Sequence, residues 1–182
     1  MDKKNGSRAT GMTSCLTKDY VDSHPGSETD TRVFTPPGYR WAQRTAGFLG
    51  ARPIRENINA CHLLADRLTG SGTDPRNLAA CARGADAKQL GSRQGDDDMA
   101  KHETDIAAAA QAGQDVYYSV TPRYSGRRTV PTGFAIHAQG TNLDGSAGIS
   151  ISTFIPSPLA GRNLGMFNDP ATGRQVPTGS MG

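Results

Sequence analysis

Three stretches with an alternating apolar pattern constrain the fold of this chain more than any other feature. Over 115–124, Val116, Tyr118 and Val120 take every second position; after Ser125-Gly126 the alternation resumes over 130–138 through Phe134, Ile136 and Ala138. Beyond the turn residues Asn142 to Gly145 a third run covers 149–155. Successive strand residues point to opposite faces, so each run has one apolar and one polar side. Short turns between such runs predict an antiparallel meander with one face buried and His137 turned outward.

A second periodicity precedes the meander. Met99, Glu103, Ile106 and Ala110 share one face of a helix expected over 97–112. Aspartates 96–98 suit its positive end, and Gly113 suits its C-terminal cap. A carboxylate among inward-facing positions needs a partner, either an arginine or a metal shell. Upstream, a short helix is expected over 39–49, packing through Trp41 and Phe48 and ending at Gly50. The segment 55–64 reads as a strand with His62 near its end. Asp74-Pro75 reads as an N-cap followed by a helix over 75–83. Polar composition marks 1–13 as disordered, with irregular chain to residue 31, and 157–182 as a Gly/Pro-rich extended or disordered tail. The class is α+β, with one domain over 14–156.

Several classes of function are excluded. No stretch approaches the roughly 18 apolar residues of a membrane-spanning helix. The first thirty residues hold no apolar run of signal-peptide type, so export would require a released fragment, a mature form or another route. The net charge of +3 is compatible with a polyanionic partner but does not argue for one. There is no Cys-x-x-Cys, no P-loop and no nucleophile elbow. His102-Glu103 lacks the second histidine of a metalloprotease helix, because Ile106 stands there. Three cysteines, Cys15, Cys61 and Cys81, allow at most one internal disulfide. A Cys61–Cys81 bridge is the expected pairing; closing a loop of about 20 residues, it would contribute about 3 kcal/mol and imply an oxidising destination.

Among the four histidines, His62 stands out for the ordered polar residues that follow it: Asn77, Asp86 and Glu103. The runs NACHLLADRLTGSGTDPRNLAACARGADA, DDMAKHETDI, AGQDVYYSVTPRYSGRRTVPTGF and DGSAGISI together resemble the DNA/RNA non-specific endonuclease family over about residues 14–156. The closer resemblance is to the variant found as C-terminal domains of bacterial polymorphic toxins. That resemblance implies a ββα-metal (His-Me finger) core with an antiparallel sheet and flanking helices. It also implies hydrolysis of DNA and/or RNA with one Mg²⁺, Mn²⁺ being an alternative ion. The family's Asp-Arg-Gly-His signature falls on Asn59-Ala60-Cys61-His62, where only the histidine, the general base, is kept. The metal-binding asparagine falls on Asp86, a supporting asparagine on Asn77, and a glutamate that orients water on Glu103. Asn59 would partly replace the lost aspartate, and Arg83, Arg127 and Arg128 are candidate phosphate contacts. Aspartate at position 86 keeps a hard oxygen ligand suited to Mg²⁺. A cognate immunity protein and delivery to a target cell follow from the toxin-like resemblance. The altered signature supports an alternative: a catalytically impaired relative serving as a nucleic-acid- or protein-binding module.

Overall fold

The computed structural model describes residues 1–48, 58–86 and 98–159, with short segments at 162–163, 166–168 and 175–177. In chain order the elements are strand β1 (Met12–Leu16), helices α1 (Lys18–Ser23) and α2 (Tyr39–Phe48), strands β2 (Ile58–His62) and β3 (Leu78–Ala82), helices α3 (Arg83–Asp86) and α4 (Met99–Gln111), and strands β4 (Asp115–Arg123), β5 (Gly133–Thr141) and β6 (Ala147–Pro156). Short strand pairs follow, β7 (Pro158–Leu159) with β8 (Arg162–Asn163), and β9 (Met166–Asn168) with β10 (Gln175–Pro177). The expected helix end at Gly50, the packing of Phe48, residues 55–57, aspartates 96 and 97 and most of 157–182 lie outside the described residues.

The principal sheet is antiparallel, in the order β1-β4-β5-β6. Its inner face carries Val116, Tyr118, Val120, Phe134, Ile136, Ala138 and Ile155, all buried, while His137 is exposed. Helix α4 lays Met99, Ile106 and Ala110 on that face. Its N-cap Asp98 accepts a 2.8 Å hydrogen bond from the Lys101 amide, and Gly113 leaves the helix at φ 92°, a conformation that suits glycine. The third run of the meander begins earlier than the alternation suggests, at Ala147, and the second later, at Gly133.

Between α2 and the main sheet lies the antiparallel hairpin β2–β3. Cys61, Ala79 and Cys81 join the core beneath α4, whereas Ile58 and Ala80 pack with Trp41, Ala42, Ala46 and Val130. Every residue of β3 is buried, so the strand is covered on both sides. This corrects the helix expected over 75–83. The Asp74 carboxylate accepts from the Arg76 amide at 2.8 Å, and the Asn77 amide donates to the Asp74 carbonyl at 2.9 Å, closing a tight turn. An Asx turn satisfies the same side chain that would otherwise cap a helix. Cys61 and Cys81 are joined by a disulfide across this hairpin, with Cα atoms 6.0 Å apart, and Cys15 is an exposed free thiol.

The N-terminal segment, expected to be disordered over 1–13, is instead built into the structure. Arg8 donates to the carbonyls of Gly126 and Arg128 at 2.7 and 2.6 Å, and its guanidinium lies 4.3 Å from the Tyr124 ring centre. Tyr124 Oη donates in turn to the Ala9 carbonyl at 2.9 Å. Met12–Leu16 then adds to the sheet as an edge strand, with Leu16 fully buried opposite Val116. Composition could not reveal this, because the contacts that dock the segment join residues more than one hundred positions apart in sequence.

Candidate active site

His62 ends β2, and the chain after it is pinned from two directions. Buried Asn77 accepts from the Leu64 amide at 2.8 Å and donates to the Leu64 and Ser71 carbonyls at 2.9 and 3.0 Å. From the main sheet, Tyr118 Oη donates to the Leu63 carbonyl at 2.9 Å. All of Asn77's side-chain polar atoms are engaged by backbone, so it holds the loop and does not face the cleft.

The imidazole itself meets the strap formed by residues 26–30. Nε2 lies 3.0 Å from the Ser27 carbonyl, and Nδ1 lies 3.4 Å from Thr29 Oγ1. A carbonyl only accepts, so a neutral ring places its proton on Nε2 and its lone pair on Nδ1. Thr29 Oγ1 also lies 3.1 Å from the Ala60 carbonyl, which takes its hydroxyl proton in preference to the more distant ring nitrogen. The strap stays in place through backbone contact with the 63–72 loop: Ser27 and Asp30 amides donate to Gly70 and Gly72 carbonyls at 3.0 and 3.1 Å. A Cβ at Gly26 would collide with the Asp66 carbonyl, and one at Gly72 with the Glu28 carbonyl.

Two carboxylates complete the arrangement. The short helix α3 follows β3 directly and ends in Asp86, whose Oδ2 accepts a 2.6 Å hydrogen bond from Asn59 Nδ2. Burial pushes the Asp86 carboxyl above its ordinary range, and the Asn59 hydrogen bond opposes that shift. Glu103, on the inward face of α4, is pushed up to about 8, first by burial and next by repulsion from Asp86. Its Oε1 is buried without a hydrogen-bond partner among the described residues. His62, Asp86 and Glu103 line one cleft of about 180 Å³. Asp86 also lies near both disulfide sulfurs, all within 4.8 Å, but bonded sulfurs offer no thiolate to a metal.

Of the other residues singled out from sequence, Asn59 touches Asp86 but does not itself line the cleft. Arg83 acts on Asp86 through its charge, and Arg127 and Arg128 belong to the β4–β5 connection; none of the three lines the cleft. The walls contain four polar residues that sequence reasoning missed: Glu28, Thr29, Asp66 and Arg67. The strap residues carry no periodicity or motif to mark them. Arg67 sits on a single 3-10 turn over Asp66–Leu68, and Nη1 donates to Thr104 Oγ1 on α4 at 2.7 Å, a contact invisible before the elements are assembled.

Solved structures similar to this one include NucA from Streptococcus agalactiae with magnesium ion bound, at TM-score 0.60 and 16% identity, covering 96% of this chain and 74% of that one. The Sda1 nuclease with bound zinc ion matches at TM-score 0.60 and 19% identity, covering 85% of this chain and 72% of that one. An extracellular endonuclease matches at TM-score 0.55 and 18% identity, over 95% and 82% of the two chains. At these identities the likeness establishes a shared fold of helices and antiparallel sheet. No curated protein sequence matches the chain. The family model for DNA/RNA non-specific endonuclease matches residues 33–142, more than half of the sequence. The chain therefore belongs to the DNA/RNA non-specific endonuclease family and is a nucleic-acid hydrolase of that class.

Proposed function

We propose that this endonuclease cuts the phosphodiester backbone of DNA and/or RNA in the His62–Asp86–Glu103 cleft, with His62 as general base. The observation that carries the reading is the imidazole whose Nε2 is held by the Ser27 carbonyl, leaving the Nδ1 lone pair to accept a proton in a cleft shared with half-buried Asp86 and buried Glu103. The β2–β3 hairpin with α3 is, on this reading, a ββα-metal core.

The donor set fits a divalent cation. Among the described residues Glu103 Oε1 is buried without a partner, and the charge of Asp86 raises the proton affinity of Glu103, so a cation would relieve both costs. The offered atoms are oxygens, which suit hard ions such as Mg²⁺. Asp86 would hold the ion, with Glu103 supporting it, and Asn59 fixes Asp86. When bound, such an ion supplies positive charge against the phosphoryl oxygens and the departing 3′ oxygen. His62 Nδ1 takes the proton of the attacking water, while the Ser27 carbonyl steadies the imidazolium that forms. Asn77 and Tyr118 keep the ring in place by holding Leu63 and Leu64. Contacts confined to backbone and metal give little sequence preference and strong salt dependence.

No helix among the described residues is long and apolar enough to cross a membrane. A Cys61–Cys81 disulfide supports an oxidising, extracytoplasmic setting. The toxin-like sequence resemblance supports delivery to a target cell, with an immunity protein as partner. The test of the catalytic reading is digestion of plasmid and total RNA across a Mg²⁺ series, with EDTA as control. Cleavage should require the metal, be lost in Asp86→Ala and survive in Asp86→Asn. An active Ala variant beside a dead Asn variant would overturn the ligand assignment.

A further inference from the structure

We propose that the groove lined by Val21, Pro25, Gly26, Asp66 and Arg67 seats the nucleotide adjoining the bond being cut, with Arg67 holding the phosphate between groove and cleft. The inference rests on the catalytic reading above and adds where the substrate strand runs. The groove has a volume of about 340 Å³, inside the range of roughly 300–1,000 Å³ typical of small-molecule sites. It shares Asp66 and Arg67 with the catalytic cleft, so a strand leaving the cleft by this side passes over that arginine.

Charge selects the occupant. The cleft walls carry the carboxyl groups of Glu28, Asp66, Asp86 and Glu103, and among the described residues Arg67 is the one Lys or Arg lining either depression. A phosphodiester approaching these walls therefore meets its counter-charge at Arg67. The Thr104 hydroxyl takes Nη1 at 2.7 Å and anchors the guanidinium against α4, and the planar fork has further N–H groups to direct at phosphate oxygens. Beyond the arginine, the wall turns apolar. Val21 on α1 and Pro25 just after it stand four residues apart, and Gly26 presses on the Asp66 backbone with no side chain to fill the space. Apolar surface next to a cation matches the two halves of a nucleotide, base or sugar against Val21 and Pro25 and phosphate on Arg67. Val21, Pro25 and Gly26 have no side-chain hydrogen-bonding group to read a base edge, so the apolar part of this seat accepts any base.

The test measures kcat and KM of the wild-type protein, Pro25→Glu, Pro25→Trp and Arg67→Ala. The substrates are a short single-stranded oligonucleotide and bis(p-nitrophenyl) phosphate, a diester with no neighbouring nucleoside. Pro25 is exposed, so both of its variants leave the core untouched, and melting temperatures verify that they are folded. The Pro25 variants should raise the oligonucleotide KM about tenfold and lower the oligonucleotide-to-diester ratio of kcat/KM by a similar factor. Arg67→Ala should do the same, with partial recovery in Arg67→Lys. An unchanged oligonucleotide KM in folded Pro25 variants, or an equal loss on both substrates, would overturn the groove assignment. Failure of the wild-type protein to cleave either substrate would instead overturn the catalytic reading, and this one with it.

Discussion

The side-chain amide of Asn59 donates a 2.6 Å hydrogen bond to Asp86 Oδ2, tying the strand that ends in His62 to the helix that presents the carboxylate. The proposed base and the proposed metal-binding group are thereby held by one hairpin and the short helix that follows it. Partners of this kind orient a ligand, and losing one typically costs about 10- to 100-fold in metal affinity or activity. Asn59→Ala should raise the Mg²⁺ concentration for half-maximal cleavage about tenfold, read from a Mg²⁺ titration of plasmid digestion. An unchanged titration would show that Asp86 is oriented by something else.

Asn77 makes a stability prediction. Its substitution by Ala leaves the buried Leu64 amide and carbonyl without their partner and should cost about 3 kcal/mol of unfolding free energy in a denaturant titration. Activity should fall as well, through a lower kcat, because the same bonds hold the loop that follows His62. A fully stable Asn77→Ala protein would remove this residue from the account.

Glu103 predicts a pH dependence whose sign is fixed. Its carboxyl is raised from an ordinary 4.5 to about 8 in the folded protein, so folding favours the protonated form. That contribution is complete below the unfolded value and is lost as pH rises through about 8. Asp86 is shifted in the same direction and adds to the trend. In EDTA the melting temperature should fall between about pH 5 and 9, and Glu103→Gln should flatten much of the slope. An identical slope in the variant would contradict the assignment.

How much of this was legible depends on how each element is buried. Helix α4 and strands β4 and β5 bury one side, and one-sided burial imposes the 3.6- or two-residue period seen in Met99/Glu103/Ile106 and Val116/Tyr118/Val120. Strand β3 (LAACA) is covered on both sides and has no alternation to read, while the local signal at Asp74-Pro75 pointed to a helix. The N-terminal segment and Arg67 escaped notice for another reason: Arg8, Tyr124, Arg67 and Thr104 acquire their roles from residues 37 to 120 positions away. His62, Asp86 and Glu103 were singled out by the order of motifs resembling the family, and their common cleft appears only once the chain is folded.

The most direct measurement compares wild-type and His62→Ala proteins on plasmid DNA and total RNA in Mg²⁺, with Mg²⁺ binding of both followed by calorimetry. General-base loss should slow cleavage by at least about 10²-fold while the variant still binds the ion. Undiminished cleavage by His62→Ala would contradict the account at its centre.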